Sequence, residues 1–168
     1  MSSEGAHTVA ASRSSVVRLM VPSDANFMGN IFGGTILAEV DRVAYITATR
    51  HAGADCVTAS FDRVDFIAPV HVGDVVEFVA TLTFVGRSAM EVWVEVRAED
   101  LKGGGRRLVG NAYVTMVAVD DAGAPRPVPP LTIANDAERR RHGEAERRMA
   151  VRRKTRATER AAAARPEE

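Results

Sequence analysis

The stretch DANFMGNIFGGTILAEVDRVAYITATRH, residues 24–51, brings together three features with chemical use. Asn26 carries both a donor and an acceptor. Gly33 and Gly34 precede an apolar helical pattern, where amide N–H groups lack helical acceptors. With no side chain, the pair lets a carbonyl oxygen approach those donors closely. Asp41 falls within the helix on the stripe of Leu37, Ala44 and Ala48, an unusual place for a carboxylate. Such a group can serve as a general base toward water or attack a carbonyl directly, while amide donors stabilise the resulting oxyanion. Each feature also has a structural reading. A helical aspartate commonly faces solvent, Asn26 suits an Asx-turn, and the glycines suit a tight helix entry.

The elements that would position these residues follow from periodicity. SSVVRLMVP reads as a strand ended by Pro22. Residues 35–51 read as a helix, with Ile36, Leu37, Val40, Val43, Ala44, Ile46 and Ala48 at helical spacing and Gly53 as its stop. Strands follow in CVTASFDRVDFIAPV, VVEFVATLTFVG, SAMEVWVEVRAED and LVGNAYVTMVAVD. In the third of these, Met90, Val92, Val94 and Val96 alternate inward and Glu91, Trp93, Glu95 and Arg97 outward. A helix of about 17 residues spans about 25 Å. One helix and a run of turn-linked strands imply an α+β domain in which an antiparallel sheet curls around the helix.

Composition bounds the rest. Net charge is zero, so no global field favours nucleic acid. No apolar run approaches the roughly 20 residues of a membrane span. The first residues lack the apolar core of a secretory signal. Cys56 is the single cysteine, which excludes a disulfide framework and a cysteine-based metal cluster; a cytoplasmic setting is expected. The four histidines make no metal-ligand spacing. His51 reads as a helix-end residue and Cys56 as a core residue at a strand start. About half of the 22 Lys and Arg lie after Asn135. The expected organisation is a flexible segment over 1–13, a core domain over 14–124, and a Pro-rich linker with a basic tail over 125–168. The tail reads as a solvated helix or a disordered segment, or as an arm whose arginines reach a phosphate or a neighbouring subunit.

Three motifs carry a resemblance over residues 15–120: N-x-x-G-x-x-x-G-G with an acid seven residues on, D-x-V-x-F-x-x-P-V-x-x-G-D, and V-G-R-S. In this order and spacing the chain resembles the hotdog-fold acyl-CoA thioesterases, bacterial short- and medium-chain hydrolases and the cytosolic brain-type hydrolase among them. The resemblance implies hydrolysis of acyl-CoA to a free acid and CoA. It implies no metal and no cofactor beyond the CoA of the substrate. It further implies a homo-oligomer, with hotdog dimers assembled into hexamers, and a composite site in which Asn26 of one subunit faces Asp41 of the other. Asn26, Asp41 and Gly34 would be catalytic. Gly33, Thr58, Ser60, Arg63, Gly86, Arg87 and Ser88 would bind substrate, Arg87 through a CoA phosphate. Arg63 and Asp65 can instead pair across the subunit interface. Ala89 stands where the family often has a second hydroxyl. The alternative is a non-catalytic acyl-CoA-binding module; a hotdog hydratase would want a histidine that this stretch lacks.

Overall fold

A computed structural model describes residues 7–163. Residues 1–6 of the expected lead-in and 164–168 of the tail lie outside the described residues. The elements are α1 (Val9–Ser12), β1 (Ser14–Leu19), a short 3-10 turn (Pro22–Asp24), α2 (Gly33–Ala52), β2 (Cys56–Phe66), β3 (Asp74–Val85), β4 (Ala89–Asp100), β5 (Gly105–Ala118) and α3 (Asp136–Ala163).

The five strands form one antiparallel sheet in the order β1-β3-β4-β5-β2. Its concave face wraps α2, which touches every strand. Ile36, Val40, Val43, Ala44 and Ala48 of α2 share one core with Phe78, Leu82, Val92, Val94, Val114 and Met116 of the sheet. Burial of each large aliphatic side chain here contributes about 1.5–3 kcal/mol. This is the hotdog arrangement that the resemblance implies. The helix begins at Gly33, two residues earlier than its apolar periodicity suggests, because Phe32 already takes the extended N-cap conformation. It stops where Gly53 adopts φ +60° and donates to the Thr49 carbonyl, a left-handed geometry that favours glycine.

β2 and β1 are the two edges of the sheet. β2 is irregular: its register against β5 shifts between Thr58 and Ser60 and again between Phe61 and Arg63. Ala59 and Asp62 are the residues left over, as in β-bulges.

α3 is not a solvated tail. It lies on the convex face, where Ala145 and Met149 pack on Phe84 and Ala89. Arginine-centred interactions fix it. Arg148 reaches the Glu91 carboxylate at 2.8 Å and stacks 4.3 Å from the Tyr113 ring centroid. Arg152 meets Glu91 at 3.0 Å and Asp62 at 2.9 Å. Glu91, outward by alternation, is 0% exposed because this helix covers it.

The far end of α2 is closed by histidine. His51 is 3% exposed; its Nε2 lies 2.8 Å from the Pro129 carbonyl and its ring centroid 5.1 Å from that of His7. Burial lowers its pKa below the ordinary 6.5, the bond to Pro129 raises it and the nearby His7 lowers it further, for a net decrease. The folded chain therefore binds fewer protons here than the unfolded chain, so unfolding free energy rises with pH across this window. Stability should fall as pH drops through 6.5 toward the folded value. Denaturant titrations at a series of pH values should show this slope in the parent protein and a weaker one in His51→Phe. An unchanged slope would exclude His51 as its source.

Candidate active site

The carboxylate of Asp41 is half-buried on the flank of α2 facing β2, rather than in the core. The Thr58 hydroxyl donates to Asp41 Oδ1 at 2.5 Å. That short bond outcompetes the 3.5 Å alternative to the Met116 sulfur, since a hydroxyl has one proton to give. Asp41 Oδ2 has no hydrogen-bond partner among the described residues. One oxygen is thus held and the other carries no protein hydrogen bond.

The helix carries a second acid, Glu39, which sequence reasoning passed over. It is 4% exposed, and one of its oxygens accepts from both Arg18, at 2.7 Å, and Arg42. Arg18 also grips Asp24 at 2.6 Å. This bridge ties the 22–32 loop to α2. Glu39 is neutralised and committed to structure, which leaves Asp41 as the acid available for chemistry. No periodic signal marks Arg18 as its partner; the two lie 21 residues apart.

Asn26 sits within that loop, after the 3-10 turn. Its side-chain oxygen accepts from the amides of Met28 at 2.9 Å and Asn30 at 3.2 Å. The Asx-turn and a functional role are therefore compatible: with Oδ1 engaged, the group left for a ligand is the NH2 donor. Gly33 and Gly34 form the first turn of α2. A Cβ on Gly34 would stand 2.8 Å from the Phe32 ring, and one on Gly33 would stand 3.3 Å from Phe66. Beside Gly33 opens an apolar cleft of about 340 Å³ between Ile31, Ile36, Phe66, Ile67 and Val109.

The structure does not bring Ser60 to Thr58. The bulge at Ala59 turns Ser60 to the convex face, opposite Thr115, where its hydroxyl donates to Asp62 at 2.7 Å. Arg63 also lies off the Asp41 side, opposite Tyr113, and pairs with Asp65 of its own chain at 2.8 Å. Gly86, Arg87 and Ser88 form the tight link from β3 to β4. The carbonyls of Arg87 and Ser88 accept from Val128 and Ala118 at 2.9 and 3.0 Å. The Arg87 side chain is exposed and has no ion-pair partner among the described residues. Cys56 is buried, and burial raises its thiol pKa, with the nearby Asp55 assisting; it is no activated nucleophile. Among the described residues no group of three or more His, Cys, Asp or Glu side chains could hold a metal ion.

Residues 28–104 match the sequence model of the thioesterase superfamily. An acyl-CoA thioester hydrolase of Bacillus subtilis is 39% identical over 127 residues, covering 76% of this chain and 74% of its own length. The chain belongs to the acyl-CoA thioester hydrolases. Among solved structures, a hexameric acyl-CoA thioesterase superposes with TM-score 0.83 at 42% identity, over 89% of this chain and 96% of that one. An acyl-CoA hydrolase from Staphylococcus aureus, in complex with butyryl-CoA, CoA and CoA disulfide, gives TM-score 0.83 at 37% identity, over 92% and 94%. Alanine variants of that enzyme replace an asparagine, an aspartate and a threonine spaced by 15 and 17 residues. Asn26, Asp41 and Thr58 stand at the same two intervals here. No described helix is long and apolar enough to cross a membrane.

Proposed function

We propose that this acyl-CoA thioester hydrolase cleaves its substrate with Asp41 as the group that activates or delivers the attacking oxygen, in a site shared by two subunits. The observation that carries this is the Asp41 carboxylate itself, fixed through Oδ1 by Thr58 and with Oδ2 unpartnered among the described residues. The matching spacing of the three residues replaced in the Staphylococcus aureus enzyme supports it.

The roles follow from chemistry. The thioester carbonyl lies at the N-terminus of α2, where the Gly34 amide receives the developing oxyanion; one such donor is worth about 2.7–4 kcal/mol. The Asn26 NH2 donates to the carbonyl or to water. Asp41 Oδ2 removes a proton from that water, whose oxygen adds to the carbonyl; the intermediate then breaks its C–S bond and CoA leaves as the thiol with that proton. Alternatively Asp41 attacks the carbonyl and expels the CoA thiolate, and water opens the resulting anhydride to the free acid and the Asp41 carboxylate while its remaining proton passes to the thiolate. The acyl chain enters the apolar cleft beside Gly33. Arg87, with Arg153 of α3 as a second exposed cation, meets the CoA phosphates. No metal or organic cofactor takes part, and a cytoplasmic setting rich in CoA esters suits the chemistry.

A partner subunit is part of the proposal. Phe27, Met28, Phe32, Tyr45, Val57 and Phe61 are exposed apolar side chains on the Asn26 loop, α2 and the edge strand β2. Apolar surface of this kind marks an interface, and β2 has a free edge to extend the sheet into a second copy. Dimers so formed would assemble into a hexamer, the state of the solved relative. The test is release of free thiol from acyl-CoAs of several chain lengths by the purified oligomer. Turnover is expected; its absence across the series would end the proposal.

A further inference from the structure

The strand that carries Thr58 is held from the opposite face of the sheet. β2 is an edge strand, and its two leftover residues, Ala59 and Asp62, interrupt its ladder with β5. A bulge leaves its extra residue unpaired in the ladder and re-aims neighbouring side chains. Here both irregular residues are engaged by α3. Arg156 Nη2 donates to the Ala59 carbonyl at 2.9 Å. Arg152 Nε meets Asp62 Oδ1 at 2.9 Å, and Asp62 also accepts from Ser60 at 2.7 Å and Thr115 at 2.6 Å. Residues four apart share a helix face, so one face of α3 grips both bulges. Arg152 is itself anchored by buried Glu91.

The Ala59 bulge is what separates the faces of its neighbours. Thr58 stays opposite Met116, on the concave side, and donates to Asp41. Ser60 moves opposite Thr115, on the convex side. If the bulge slipped by one residue, the side chain facing α2 would change.

We propose that Arg156 is a positioning residue for thioester hydrolysis: by holding the Ala59 carbonyl from the convex face, it fixes the bulge that aims the Thr58 hydroxyl at Asp41. Arg156 is thereby part of the catalytic apparatus without touching substrate. The inference rests on the role given to Asp41 above.

The experiment is a double-mutant cycle on the oligomeric enzyme, with Arg156→Ala, Thr58→Ala and the pair. Arg156→Ala should lower kcat about 10- to 100-fold, the scale of a misplacement of about 1 Å, with KM nearly unchanged. The pair should be no slower than Thr58→Ala alone, since coupled residues are non-additive. Arg156→Lys, whose ammonium can still donate to Ala59, should recover part of the loss. Losses that multiply, or a loss confined to KM, would overturn the proposal; the latter would make Arg156 a substrate contact. Hydrogen exchange of the 57–63 amides supplies a readout that needs no substrate. Faster exchange in Arg156→Ala is expected, and unchanged exchange overturns the clamp. Failure of the parent enzyme to hydrolyse acyl-CoA would instead refute the catalytic reading and leave the exchange result to judge the clamp.

Discussion

Asp41→Asn should lose about 10²–10⁴-fold in kcat, the usual worth of a positioned general base, while keeping its oligomeric state. The substitution conserves shape and the hydrogen bond from Thr58, because the amide oxygen can still accept at the position of Oδ1. What it removes is a group able to take a proton or attack a carbonyl at Oδ2. Asp41 is half-buried and makes no ion pair among the described residues, so folding should be little affected. Glu39 is the internal control. It is the other acid of the same helix, yet both its arginine partners are structural, so Glu39→Gln should affect unfolding more than the chemical step. Steady-state thiol release beside thermal unfolding and size-exclusion chromatography reads all three quantities. Full activity in Asp41→Asn would refute the mechanism.

The second large effect concerns the arginines of α3. Replacing Arg148 and Arg152 together by methionine leaves Glu91, wholly buried, with only the Thr83 hydroxyl at 2.7 Å. Asp62 loses its cation as well. Removing one side of a buried ion pair costs about 3–5 kcal/mol, because the remaining charge is uncompensated. The double variant should unfold at markedly lower denaturant concentration than the parent. Adding Glu91→Gln to it should restore much of the loss, since a neutral amide is far cheaper to bury than an unpaired carboxylate. A double variant as stable as the parent would mean that α3 is not held by these pairs. The exposed Arg153 offers the contrast: its replacement should leave stability nearly unchanged.

The sheet and central helix were legible in the sequence because each has a strong period. β3 and β4 alternate cleanly, and the apolar residues of α2 repeat at 3.6. Where the period breaks, sequence reasoning lost the geometry. Strict alternation places Thr58 and Ser60 on one face of β2, and only the bulge at Ala59 separates them. A bulge is set by how an edge strand meets its neighbour, here in part by an arginine 97 residues away, so no local pattern announces it. α3 was hidden for a related reason. Its composition is that of a solvated helix, with Ala145 and Met149 as its buried apolar residues. It docks by charge, and its main acceptor, Glu91, is 57 residues distant and alternates as a surface residue would. The candidate catalytic residues rest on local sequence instead. Asn26, Gly34 and Asp41 lie in one continuous motif, and the chemistry they suggest depends on residue type more than on packing.

The roof that α3 forms over β4 and β5 also restricts quaternary growth. Where α3 packs on Phe84, Ala89 and Glu91, a second subunit approaching the outer face would meet this helix before the strands. Contacts between pairs made over that part of the face would run through α3. The same arginine-rich rod that braces the bulged edge would then be the spacer that sets how far apart successive pairs stand.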